Sequence, residues 1–411
     1  MRIVIVCNDT LGGVRPYAAL AAGLRRAGHD VTAVAPEAHA NLFAAAGIPV
    51  EALAGTTAAE LTAAATIGEQ GTIAAMRFMA RDLPERLGEW TRKTLATSEG
   101  ADVLTGGVGG MVVGMSVAEV LGIPFVETHL QPVHLRTSEF PGVLLPWLPR
   151  WLGPTAWRAS HLVSDAMISL PFQKAVRHAR RRVLTLRGPA RRFGRTRTLY
   201  GFSRSVVSVP ASPSRPSLVT GYWELEGEGS PPFADEVEHW LNCGERRVAI
   251  GFGSMTTSDV AATLALLDEA MSLVGARAVV GGMLSDACPV PASERLLLIP
   301  PVPHSWLFPL VDCVVHHGGA GTTGSAFRAG RPQIVVPFAV DQPFWARRTV
   351  SLGVSPGFIP RRALSARRLA TLLRQAFSEE DYRVAGRDIG TKIETERGVA
   401  RAVEAFNPLV P

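Results

Sequence analysis

The stretch that most narrows the fold runs from an apolar segment at residues 310–315 (LVDCVV) through residues 316–330 (HHGGAGTTGSAFRAG). The apolar segment reads as a buried strand that ends at His316 and His317. Gly318, Gly319 and Gly321 then form a turn in which the backbone can approach a ligand closely, because glycine carries no Cβ. A helix-compatible segment follows until Gly330 stops it. Strand, glycine turn and helix start together aim backbone N–H groups and a helix dipole at a phosphate. His317 can add a charge-assisted hydrogen bond of about 1.5–3 kcal/mol to a phosphate oxygen, while His316 can support the loop from behind. Thr322 and Thr323 can bond phosphate or simply start the helix. Past the next strand (QIVVPF) stand Asp341 and Gln342, a carboxylate beside an amide. Such a pair can accept from and donate to the vicinal hydroxyls of a sugar, although Asp341 is also a good helix cap.

The rest of the chain repeats this rhythm. Residues 2–6 (RIVIV) are β-branched and barely alternate, as a buried parallel strand does. Gly12 and Gly13 read as a turn, residues 17–27 as a helix ended by Gly28, and residues 31–35 as the next strand. Further strands are expected at 103–104 and 124–128, with a helix over 112–121. A second series starts at 247–252 and continues at 276–281, 296–299, 310–315 and 333–337. Late amphipathic helices are expected at 361–378 and 393–406. Strands alternating with helices predict open, mostly parallel α/β sheets. Two stretches break the pattern: a Pro/Leu/Trp-rich segment at 139–154, and a Pro-punctuated segment (VVSVPASPSRPSLVTGYW) that reads as the linker between two domains.

With 411 residues, 47% of them hydrophobic and 19% charged, the chain can bury two ordinary cores. Four cysteines stand singly, so neither a zinc site nor a disulfide framework is indicated. The opening apolar run is too short for a secretory leader, and no stretch has the roughly 18–20 apolar residues of a membrane span. These features predict a cytoplasmic, metal-independent protein. Its net charge of +6 is concentrated: eleven Lys/Arg lie between Lys174 and Arg204, and no acid occurs between Asp165 and Glu224. Such a run is usually a solvated face. It could also serve an acidic acceptor, a diphosphate or an anionic membrane surface. No aromatic-plus-basic platform accompanies it, which argues against nucleic acid.

The segment HHGGAGTTGSAFRAGRPQIVVPFAVDQPFWARR resembles the donor-binding signature of the UDP-glycosyltransferase superfamily, closest to its bacterial natural-product and sterol-type members. The resemblance implies the GT-B fold, two doubly wound Rossmann-like domains facing across a cleft. Residues 1–212 would bind the acceptor and 213–388 the nucleotide-sugar donor, with 389–411 crossing back to the first domain. Gly253 and Ser254, in the turn GFGSM after the first strand of the second domain, occupy the place of a diphosphate contact. Val302, in PVPHSWLFP, lies where the family's base-binding segment runs. His317, Gly319, Gly321, Thr322 and Thr323 would hold the diphosphate, and Asp341 with Gln342 the sugar. The donor would be UDP- or dTDP-linked and no cofactor is expected. The partners implied are that donor and a small, largely apolar acceptor, with an acidic group as one option. The chain would act as a monomer or homodimer.

One position departs from the family. Sugar transfer to a hydroxyl usually needs a general base, which related chains place in the first loop within a G-S-R-G-D-V-x-P pattern. Here Gly13 stands at that seat. Asp9 on the same segment is the leading replacement, with His129 and Glu127 at the end of FVETH, and His134, next. An already acidic acceptor, or a base supplied by the acceptor, would also remove the need. Residues 130–157 and 67–87 would shape the acceptor pocket, with Trp147, Trp151, Leu144 and Leu145 implying an apolar wall or lid. An epimerase or hydrolase on the same fold, or a non-catalytic partner of another transferase, are the competing classes.

Overall fold

A computed structural model describes residues 1–8, 11–54, 83–190, 197–209, 216–225, 227, 229–253, 259–282 and 288–407. They form two compact units: the first takes the chain up to residue 226 and resumes at Glu396, and the second runs over Gly227–Thr395.

The first unit is built on a seven-stranded sheet of β1 (Arg2–Val6), β2 (Asp30–Pro36), β3 (Val50–Leu53), β4 (Val103–Gly106), β5 (Phe125–His129), β6 (Thr198–Tyr200) and β7 (Ser217–Val219). The order is β3-β2-β1-β4-β5-β6-β7, parallel throughout. Its helices include α1 (Leu11–Arg26), α2 (Val108–Leu121), α3 (Gly153–Ser169) and α4 (Gln173–Arg182). Ile3, Val4 and Ile5 are all fully buried, as strands covered on both faces require.

The second unit carries β8 (Arg246–Gly251), β9 (Ala276–Gly281), β10 (Val290–Pro291), β11 (Leu296–Ile299), β12 (Cys313–His316) and β13 (Gln333–Val335), in the order β10-β11-β9-β8-β12-β13. Only β10 runs antiparallel to its neighbour. Helices α5 (Val260–Val274), α6 (Ala320–Arg328), α7 (Gln342–Ser351), α8 (Ala366–Ser378) and α9 (Glu380–Glu394) belong to it. Side chains alternate strictly between two cores. Val248, Ile250, Val280, Leu296, Cys313 and Val315 enter one, whereas Ala249, Val279, Leu297, Ile299 and Val314 enter the other. A period of two feeding two cores is what makes the sheet doubly wound.

Three local expectations need correction. Helix α1 starts at Leu11, not Tyr17, and carries Pro16 inside it. Pro16 is the sixth residue of the helix, so it has no N–H to offer the Gly12 carbonyl, and the helix continues through it with one ladder bond fewer. Gly13 therefore lies in the first turn of a helix and not in a loop. Part of the expected linker is a strand: β7 pairs in register with β6, Tyr200 opposite Val219. The late helix expected over 393–406 is broken at 395–397, after which α10 (Gly398–Glu404) begins. Gly398 makes the break tight, since a Cβ there would come 2.1 Å from the Tyr222 carbonyl oxygen. Helix α10 then packs on α1, where Gly23 leaves room for Val399.

Candidate active site

In the second unit β8 has β9 on one side and β12 on the other, so the chain reverses its winding between β8 and β12. Open α/β sheets bind ligands at the strand carboxyl ends of such a switch point. His316 closes β12 opposite Gly251. It is fully buried, and its Nδ1 accepts the Gly318 N–H (3.1 Å) while its Nε2 faces Gln333 Oε1 (2.9 Å). Burial pushes its pKa down to about 3, aided by the neighbouring His317, so the ring is neutral and fixes the turn from behind.

The ring of His317 is held in a slot with glycine on two sides. A Cβ on Gly253 would sit 2.8 Å from its Cε1, and one on Gly319 would sit 2.5 Å from its Nε2. Gly253 also has φ +61°, a conformation that favours glycine. The His317 Nδ1 is buried without a hydrogen-bond partner among the described residues. A buried polar atom left unpaired costs free energy unless a ligand or water meets it. Burial brings the His317 pKa down to about 4, with hydrogen bonding to the Gly251 carbonyl acting in the opposite sense. In the unliganded protein the ring is therefore neutral, and the charge-assisted bond expected from sequence has to await an anion that raises this pKa.

Helix α6 follows at once, with Gly319 in the capping position and no side-chain cap. The N–H groups of Ala320, Gly321 and Thr322 thus remain outside the helical ladder. Thr323 is committed elsewhere: its Oγ1 donates to the Gly319 carbonyl at 2.8 Å and its side chain is buried. It starts the helix, while Thr322 stays half-buried beside the open N–H groups.

Asp341 and Gln342 are held by internal bonds. Gln342 is buried and turns its Oε1 to the N–H groups of Phe338 (2.7 Å) and Ala339 (3.2 Å). Only its amide nitrogen end is then left for a ligand. Asp341 Oδ2 accepts from Trp345 Nε1 at 3.0 Å, and its side chain does not cap α7. Between these anchors Val340 adopts φ +59°, which is strained for a β-branched residue and of a kind that gathers at functional sites. Gly318 (φ +89°) could not carry a Cβ, which would strike Val335 Cγ1 at 2.7 Å. Val302 is half-buried against the core beneath β11. Ser254 and Asp9 lie outside the described residues.

In the first unit a second cluster sits where β5 ends. Glu127 Oε2 accepts from His129 Nε2 and from His134 Nδ1, each at 3.2 Å. Burial alone would raise the Glu127 pKa, but the two imidazoles lower it well below the carboxylate range. An ionised acceptor requires a proton on each facing nitrogen, so His134 carries a proton on Nδ1, which in the neutral ring leaves the lone pair on Nε2. That Nε2 makes no hydrogen bond among the described residues. His134 has φ +58°, and its N–H is held by Asp165 Oδ1 at 3.0 Å. His129 was one of the sequence candidates for the base, after Asp9. It is completely buried and burial lowers its pKa, whereas the His134 side chain is 16% exposed. The three side chains bring one ligand atom each within 4.8 Å, close enough for a divalent ion. Hydrogen bonding from both rings to one carboxylate accounts for the same geometry without one.

Several residues in these sites gave little signal in the sequence. Gln333 and Trp345 look like ordinary members of a strand and a helix, and their role shows only through the side chains they hold. His134 was visible as a nearby polar residue, but its left-handed backbone and its Glu127 contact were not.

Residues 250–397 match the family model described as erythromycin biosynthesis protein CIII-like, C-terminal domain. O-mycaminosyltylonolide 6-deoxyallosyltransferase of Streptomyces fradiae is 32% identical over 98% of this chain and 96% of its own length. A sterol 3-beta-glucosyltransferase of Debaryomyces hansenii is 29% identical over 96% of this chain, which spans only 26% of that longer protein. Among solved structures, the glycosyltransferase SnogD of Streptomyces nogalater superposes with a TM-score of 0.67 at 20% identity, covering 100% of this chain and 99% of its own. The Streptomyces glycosyltransferase SsfS6 complexed with thymidine diphosphate gives 0.65 at 18% identity, over 99% of both chains. The structural likeness is that of the GT-B fold.

Proposed function

This chain belongs to the UDP-glycosyltransferase superfamily, and from that premise we propose that it is an inverting, metal-independent glycosyltransferase. It moves a sugar from a UDP- or dTDP-linked donor to a hydroxyl of a small, largely apolar acceptor. The observation that carries this reading is the His317 slot: a buried, unpartnered Nδ1 between two glycines, beside the open N–H groups of α6. The diphosphate takes those donors together with the hydroxyls of Thr322 and Ser254. As the glycosidic bond to the diphosphate breaks, charge accumulates on the leaving oxygen, where fixed N–H dipoles stabilise it without reorganising. Asp341 and the nitrogen end of Gln342 receive the sugar hydroxyls. The relatives named for macrolide and sterol acceptors support the class of acceptor.

The first unit supplies the base that Gly13 cannot. His134 Nε2 takes the proton of the acceptor hydroxyl, and ionised Glu127 stabilises the resulting imidazolium through Nδ1–H. This is the orienting role that a carboxylate plays behind a catalytic imidazole. Single displacement by the acceptor inverts the anomeric centre.

His134→Gln and Asp9→Asn separate the two candidate bases. We expect His134→Gln to lower kcat at least about 100-fold with nucleotide affinity unchanged, and Asp9→Asn to stay within a few-fold of wild type. The opposite pattern would assign the base to Asp9, and retention of the anomeric configuration in the product would contradict the mechanism as a whole.

A further inference from the structure

Helix α3 is inverted relative to an ordinary surface helix, which turns its apolar stripe inward. Its buried positions are polar: Ser160, His161 and Ser164. Each is used to pin the preceding Pro/Leu-rich segment. Ser160 Oγ accepts the Gly142 N–H (2.8 Å), Ser164 Oγ accepts the Leu144 N–H (3.0 Å), and His161 Nε2 meets the Phe140 carbonyl (2.9 Å). Several apolar residues face out, while Trp157, Met167 and Ile168 are half-buried. Leu162 is 48% exposed, Val163 51%, and Leu170, in the turn after the helix, 59%. Trp151 (82%), Trp147 and Leu152 extend the patch on its N-terminal side. Six of the twelve large exposed hydrophobics among the described residues thus fall within residues 147–170, which is a patch and not scatter.

The next helix adds charge of one sign. Helix α4 buries Ala175, Ala179 and Arg180 and exposes Lys174, Arg177, Arg181 and Arg182. Those four cations have no hydrogen bond or ion pair among the described residues, and Arg150 and Arg158 are exposed on the approach. No acid follows Asp165 until Glu224.

We propose that this face of the first unit docks on the surface of an anionic lipid bilayer. Leucine, valine and indole side chains enter the headgroup boundary, where tryptophan is favoured, and the α4 cations meet the lipid phosphates. A second copy of the chain fits the patch poorly, because a two-fold contact sets the same surface against itself and brings like charges together. Docking is peripheral: among the described residues no helix is long and apolar enough to cross a membrane.

Sedimentation of the full chain with vesicles tests this, using phosphatidylcholine alone against phosphatidylcholine mixed with phosphatidylglycerol. We expect partitioning onto the mixed vesicles at least about tenfold above that onto the neutral ones, falling as salt is raised. Arg177→Glu/Arg181→Glu and, separately, Leu162→Ser/Val163→Ser/Leu170→Ser should each reduce it about tenfold or more. Unchanged melting and nucleotide binding certify that these variants fold. Equal partitioning onto both vesicle types, or none onto either, would overturn the proposal. So would a concentration-dependent dimer that the same substitutions dissolve, since the patch would then be a subunit interface.

Discussion

His316 and His317 are adjacent rings made neutral by burial and put to different uses. His316 spends both nitrogens on the turn, whereas His317 keeps Nδ1 unpaired beside the helix start. Both have folded pKa values depressed below the ordinary 6.5, to about 3 and about 4. The neutral forms are favoured by the fold, so their contribution is fully present above pH 6.5. Below that the unfolded chain takes up protons first, and stability is lost as pH falls towards the folded values. For fully buried His316 the slope approaches about 1.4 kcal/mol per pH unit. Thermal melting between pH 7 and 4 should show the decline, and His316→Asn, though less stable at pH 7, should show a shallower one. Equal slopes would mean that other groups govern acid unfolding. At this scale the sequence was only partly legible. The residues of the turn were identifiable from their types, but the direction in which each nitrogen or oxygen points depends on contacts distant in sequence. Gln342 turns its oxygen to Phe338 and Ala339, and Thr323 donates to Gly319, and neither orientation follows from spacing.

At the scale of elements, α4 is tied down by one buried cation. Arg180 Nη1 reaches Glu119 Oε2 (2.8 Å) and Ser116 Oγ (3.1 Å) on α2, and its other nitrogens donate to the carbonyls of Gly188 and Pro189. A guanidinium with this number of partners replaces its hydration almost completely, and its removal would break the part-buried ion pair with Glu119. We expect Arg180→Ala to cost about 3–5 kcal/mol, read as a lowered midpoint in denaturant. A loss below about 0.5 kcal/mol would mean the network is solvated and weak. Element boundaries were legible where an apolar run met a glycine, as at β9. They were misread where proline intervened. The helix expected from Tyr17 begins at Leu11 and carries Pro16 inside it, and the segment with Pro210, Pro213 and Pro216 leads into β7. The break before α10 has its cause in the Gly398 contact with Tyr222, which no local pattern announces.

For the whole molecule, the β/α alternation read from the sequence is the architecture found, because buried parallel strands leave continuous apolar runs. The proposed donor site was legible for a related reason: its residues fall at the carboxyl ends of β8 and β12, each followed by a glycine-rich turn close in sequence. The geometry of the proposed proton acceptor was not, since the contact among Glu127, His129 and His134 forms at the end of a different strand from the segment around Gly13. The central claim is that the His317 slot and the start of α6 receive a nucleotide diphosphate. Calorimetric titration of the full chain with UDP and with dTDP, in the presence of EDTA, tests it most directly. The account predicts saturable one-site binding of at least one of the two, weakened roughly ten- to a hundredfold by His317→Ala. No binding of either nucleotide, or binding that His317→Ala leaves untouched, would contradict it.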